Sequence, residues 1–213
     1  MAESQFQLVL EKESADPESL FLYARHLLML GRPDGAVDVI QNVVEIDPLS
    51  STYQGFYAYT LFCARRIEHS LMVARHAITL ESDAMCPLIC LCVVAAYSNH
   101  HAEALEVGMR LMSINGKIPI IMATYAYACA MAGQYETARQ LLDEIPKTHN
   151  LQGKSLIALV PAAMGDIETT SKWLAQALTE RCSWLPLIRN DPRLDSVRTH
   201  PQIRQVLRAL EHG

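Results

Sequence analysis

Three closely spaced cysteines offer the sharpest chemistry in this chain. Cys86, Cys90 and Cys92 fall within one apolar stretch, and Cys86 and Cys90 are four residues apart. On a helix that spacing puts both thiols on one side. With His100 or His101 beside them, such a pair would suit a soft cation such as Cu(I) or Zn(II). Structural zinc sites, however, use shorter loop spacings with a second ligand pair nearby, and no second pair is present. The expectation is therefore no metal and no cofactor. Cys63 and Cys129 lie within apolar helical faces, and the six cysteines read as buried thiols of a reducing, cytoplasmic compartment.

Catalytic patterns are missing as well. There is no Gly-rich phosphate loop, no G-x-S-x-G elbow and no H-E-x-x-H. His26, His69, His76, His100 and His101 sit at helix or turn positions without a nucleophile in a paired pattern. The acidic residues lie mostly on second helices and turns, and no carboxylate pair sits inside the apolar columns, so an enzyme is not expected.

Composition bounds the partners. With 18 basic and 23 acidic residues in 213, the net charge is −5, which leaves no basic excess for direct nucleic-acid binding. Half the residues are apolar and 19% are charged, values of a globular chain rather than a disordered one. No basic and apolar leader opens the sequence, so secretion is not expected. The apolar run Met85 to Tyr97 is too short for a membrane span and contains Pro87.

The organisation emerges when the chain is slid along itself by 34 residues. Ala24, Ala58, Cys92 and Ala126 fall in register, preceded by Tyr23, Tyr57, Leu91 and Tyr125. A second small-residue column follows at Ala36, Ser70, Ala104 and Ala138, with a turn column of Gly31, Arg65, Asn99 and Gly133 between them. Within the first copy, Leu20, Tyr23, Ala24 and Leu27 trace one helix face, and Ala36, Val37, Ile40, Val43 and Val44 trace a second. Each copy thus reads as two antiparallel helices that approach closely over small residues. Such a hairpin cannot bury its face alone and must stack on neighbours.

The period, the small–turn–small columns and the Asp47-Pro48 ending resemble the tetratricopeptide repeat (TPR). The resemblance implies an all-α, right-handed solenoid of about five hairpins with flanking N- and C-terminal helices. The expected divisions are an N-terminal helix over 1–14, four repeats over 17–146, a degenerate fifth over 150–181 and a capping segment over 182–213. In the fifth repeat, Pro161 should kink or end the first helix near Val160. The tail, with Trp184, then Asp191-Pro192-Arg193-Leu194-Asp195, then an amphipathic helix, resembles the ends of TPR regions in bacterial winged-helix transcriptional regulators.

In such a solenoid the first helix of each repeat lines the concave surface. The residues expected there are Phe21, Arg25, Leu28 and Met29, then Tyr59, Phe62 and Cys63 beside Gly55, then Ile89, Val93 and Tyr97, then Tyr127 and Met131. The stripe is apolar and aromatic, with Arg25 its only charge. TPR domains that grip a C-terminal carboxylate present Lys, Asn and Arg at matching places, where this chain has Phe21, Gly55 or Tyr59. The expectation is a protein-interaction scaffold that takes a helical or apolar peptide partner or a second copy of itself. The alternative is the sensor region of a bacterial regulator lacking its DNA-binding domain. A competing view of the stripe has part of it packed by a tight superhelix or by the C-terminal helix.

Overall fold

The 34-residue period becomes a recurring left-handed turn in the computed structural model, which describes residues 16–145 and 153–210. Gly31, Arg65, Asn99 and Gly133 all have positive φ, and so does Gly165, which follows 32 residues after Gly133. The next residue's N–H reaches back five residues at every one of these turns. Arg32 donates to the Leu27 carbonyl (2.9 Å), Arg66 to Leu61 (2.9 Å), His100 to Ala95 (2.9 Å), Gln134 to Cys129 (2.8 Å) and Asp166 to Pro161 (2.9 Å). This closure satisfies carbonyls left over at the helix end and reverses the chain.

Four hairpins result. They are α1 (Pro17–Met29) with α2 (Pro33–Ile46), α3 (Ser51–Cys63) with α4 (Ile67–Leu80), α5 (Met85–Tyr97) with α6 (His101–Asn115), and α7 (Pro119–Met131) with α8 (Tyr135–Glu144). Local chemistry starts them. The Asp16 carboxylate caps α1 by accepting the Ser19 N–H at 3.0 Å, and Ser50 caps α3 by accepting from Tyr53. Pro17, Pro33 and Pro119 open their helices, where no N–H is required.

The small-residue columns are the seams. All eight of their residues are fully buried. Where the column is not alanine, its polar atom is satisfied across the hairpin. Ser70 Oγ donates to the Ala58 carbonyl at 2.6 Å, and Cys92 Sγ to the Ala104 carbonyl at 3.3 Å. Successive repeats meet as closely. A Cβ on Gly108 would lie 2.5 Å from the Tyr125 ring, and one on Gly55 would lie 3.0 Å from the backbone of Pro87.

The fifth hairpin departs from the expectation. Its first helix is broken into α9 (Lys154–Ile157) and α10 (Leu159–Ala163), and the second is α11 (Ile167–Thr179). The break falls at Ala158 rather than near Val160. Pro161 offers no N–H to the Ile157 carbonyl, and its ring crowds that same group, so the helix yields upstream of the proline. Lys154, almost wholly buried, donates to both Glu180 carboxylate oxygens at 2.6 and 2.5 Å and ties the start of α9 to the end of α11. Two short 3₁₀ turns, Leu185–Asn190 and Pro192–Leu194, lead to α12 (Pro201–Ala209), which packs on α11 through Ile203 and Val206. The expected helix over 1–14 and the boundary at Pro146 lie outside the described residues.

Two substitutions separate packing from backbone conformation. Ala104→Leu overpacks a seam and should cost about 1–3 kcal/mol. Gly133→Ala places its Cβ in open space, so its cost of about 1–2 kcal/mol comes from the left-handed backbone alone. Urea denaturation measures both, and an unchanged midpoint for Gly133→Ala would contradict the turn geometry.

Candidate functional site: the concave face and its C-terminal strap

The first helices α1, α3, α5 and α7 stand side by side, and the segment before α12 lies across them. That strap, not the C-terminal helix, packs part of the aromatic stripe. Asp191 is fully buried there and Arg193 nearly so. The Arg193 guanidinium donates twice to the Asp191 carboxylate, at 2.9 and 2.6 Å, and the Arg193 N–H also donates to it at 3.0 Å. Proline between them fixes φ, so Asp191-Pro192-Arg193 presents a neutralised, rigid turn. Tyr59 of α3 donates its hydroxyl to Asp191 Oδ2 at 3.1 Å. Arg193 stands 5.4 Å over the centre of the Tyr127 ring of α7, a cation–π contact. Arg65, the residue of the second left-handed turn, pairs with Asp195 at 2.8 Å. Leu187 packs against the small cluster of Leu27, Leu28, Ala36 and Cys63.

The strap divides the residues expected in the groove. Leu28, Phe62 and Tyr127 are buried within the chain. Phe62 meets Tyr97 edge-on, with ring centroids 5.1 Å apart, and Met131 packs against the same core. Phe21, Arg25, Met29, Tyr59, Ile89 and Val93 instead line a partly enclosed cavity of about 430 Å³. Its roof is the strap, through Trp184, Leu187 and Arg193. Phe21 is itself held by rings, edge-on to Phe56 at 4.8 Å and tilted to Tyr53 at 5.4 Å.

Burial governs the ionisable groups of this face. It pushes the Tyr59 and Tyr127 hydroxyls upward, with the Cys63 thiol beside Tyr59 adding to the first, so both stay protonated and Tyr59 remains a donor. Cys63 is raised for the same reason, and Cys92 is pushed up to about 12. Two thiols move the other way. A hydrogen bond from Cys90 lowers Cys86 against the effect of burial. At Cys182 burial opposes ionisation, but the backbone N–H groups of Trp184, Gly153 and Ser155 and the Ser155 hydroxyl hold it below the usual thiol range. Cys86 and Cys90 both face the cavity. Among the described residues, no three or more His, Cys, Asp or Glu side chains are grouped as metal ligands. Nor, among them, is any helix long and apolar enough to cross a membrane.

Asp191, Arg193, Leu187 and Trp184 are the site residues that helical spacing missed. The Asp-Pro-Arg-Leu-Asp run stands out in the sequence as a motif. Its place over α3 depends on contacts 132 and 130 residues away, which periodicity does not carry.

Comparison with known proteins agrees with this architecture. The tetratricopeptide repeat family matches residues 17–42 and 121–144. Both segments carry the tetratricopeptide repeat, and the fold is a solenoid of helical hairpins of that kind. Among solved structures it is similar to a thermophilic TPR protein of Thermus thermophilus, at 14% identity and a TM-score of 0.64, over 92% of this chain and 98% of that one. It is similar also to pilF of Pseudomonas aeruginosa, at 17% identity and a TM-score of 0.56, over 87% and 86% of the two chains. A third likeness is to YrrB, described as a TPR protein with an unusual peptide-binding site, at 14% identity and a TM-score of 0.52, over 85% and 95%. At these identities the likeness is one of fold. No curated protein gives a significant match to the sequence.

Two measurements probe the strap. Asp191→Ala leaves a buried guanidinium without its counter-charge, worth about 3–5 kcal/mol and limited by the free energy of strap docking. Trp184 emission should shift to the red and proteolysis should open residues 182–195, while adding Arg193→Met should restore part of the loss. Alkylation of the native protein at neutral pH, read by mass spectrometry, should modify Cys86 and Cys182 before Cys63, Cys90 and Cys92. Early modification of Cys92 would contradict its place in the seam.

Proposed function

We propose that this chain is a non-enzymatic protein-interaction scaffold that holds an apolar peptide segment of a partner on its concave face. One observation carries the reading: the chain already binds a peptide there, its own residues 184–195. That segment is held by a hydrogen bond to Tyr59, a cation–π contact to Tyr127 and apolar packing of Leu187. Tyrosines offer large contact area at low entropic cost, which is why they recur at such surfaces. The partner would engage the rim left uncovered by the strap: Phe21, Arg25, Met29 and Ile89, with the exposed Trp184 alongside. A long helix lying along the trough would collide with the strap, so the geometry favours a short, extended segment over a helical one.

Six free thiols accord with a reducing, cytoplasmic setting. The reading applies equally to a free scaffold and to the regulatory region of a winged-helix transcriptional regulator. A winged helix encoded in the same or the adjacent reading frame separates the two.

Site-specific photo-cross-linking tests the surface. A photoreactive side chain at Met29 or Ile89 should capture a discrete protein partner in cells, and one at Met72, exposed on the outer helix α4, should not. Capture from Met72 alone would move the interface to the outer face.

A further inference from the structure

The cavity under the strap also has the attributes of a small-molecule site. Its walls come from four first helices and its roof from the strap, so it is bounded on several sides. At about 430 Å³ it falls within the range of about 300–1,000 Å³ that holds small ligands. Its wall is apolar: Phe21, Phe56, Ile89, Val93, Ile120 and Trp184 contribute the bulk. Dividing that volume by about 30 Å³ for a water-sized group gives room for about fourteen non-hydrogen atoms.

Charge sets the polarity of the occupant. Two guanidiniums reach the cavity, and they are not equivalent. Arg193 is spent on Asp191 in a bidentate pair. Arg25 stands exposed, and among the described residues no acidic side chain pairs with it. Among the described residues, no carboxylate lines the cavity. An apolar pocket with one uncompensated cation at its edge suits an apolar body that ends in an anion.

We infer that this cavity is a binding site for a medium-chain carboxylic acid of about ten to twelve carbons, its chain under the strap and its carboxylate on Arg25. The inference goes beyond the scaffold reading and does not need it: it is tested on the purified chain with no partner present. Because Trp184, Leu187 and Arg193 form the roof, an occupied cavity also holds the strap in place.

Calorimetric titration with decanoate and with decan-1-ol decides the matter. Wild type should bind decanoate saturably at one equivalent. Arg25→Gln should weaken decanoate by about five- to tenfold and leave decan-1-ol unchanged, because only the acid uses the guanidinium. Ala123→Leu, which places a larger side chain on the cavity wall, should lose both. Absence of saturable decanoate binding, equal weakening of both ligands by Arg25→Gln, or full binding by a folded Ala123→Leu protein would each overturn the inference. If Ala123→Leu does not fold, wild-type protein still gives the answer. Decanoate should slow alkylation of Cys86, which faces the cavity, and leave Cys182 unaffected; equal rates at Cys86 with and without decanoate refute the site.

Discussion

Close approach of paired helices is the constraint on which everything else in this chain rests. A side chain larger than alanine, serine or cysteine in either seam would push the helices of a hairpin apart. The displacement would pass through Gly55 and Gly108 to the next repeat, where a single added carbon already meets Pro87 or Tyr125. Small residues at the seams leave the large ones free for the outer sides of the first helices. The aromatic concave face is therefore a product of the packing rule, since Phe21, Tyr59, Phe62, Tyr97 and Tyr127 occupy the positions that the seam does not restrict.

A surface of that kind is costly to leave in water, and the strap covers part of it. The covering is selective, because its polar groups arrive already matched. Asp191 and Arg193 neutralise one another, and the carboxylate has a lone pair left for Tyr59. A buried ion pair of this sort contributes little net stability compared with apolar side chains of equal volume, but it penalises any arrangement that separates its members. It specifies where the strap sits more than how tightly.

The fold was legible because a repeat states its period many times over. The seam and turn columns, read from spacing alone, are the residues that are buried and left-handed in the structure. Helical spacing also identified Phe21, Met29 and Ile89, which line the cavity. It failed to separate them from Phe62, buried against Tyr97 of the next repeat, and from Tyr127, covered by Arg193 of the strap, because one helix's spacing carries neither contact. Even the break at Ala158, three residues before the proline responsible, follows from a carbonyl four residues back rather than from the residue that the sequence makes conspicuous. Lys154 gave no signal, since a lone lysine acquires its meaning only when Glu180 is brought opposite.

The strap has a further consequence for how the molecule comes apart. A stack of repeats touching only their neighbours is a one-dimensional object, free to fray from either end with graded loss of structure. Here the hydrogen bond from Tyr59 to Asp191 and the ion pair from Arg65 to Asp195 join the second repeat to residues 132 and 130 positions later. The line is thereby closed into a ring. The second to fifth hairpins and the strap lie on one circuit, so releasing the strap contacts frees the entropy of a loop whose ends are 130 residues apart. Unfolding becomes concerted across the middle of the molecule. Release of residues 184–195 breaks that link, and re-forming it requires contacts of long sequence separation, the kind that slow folding.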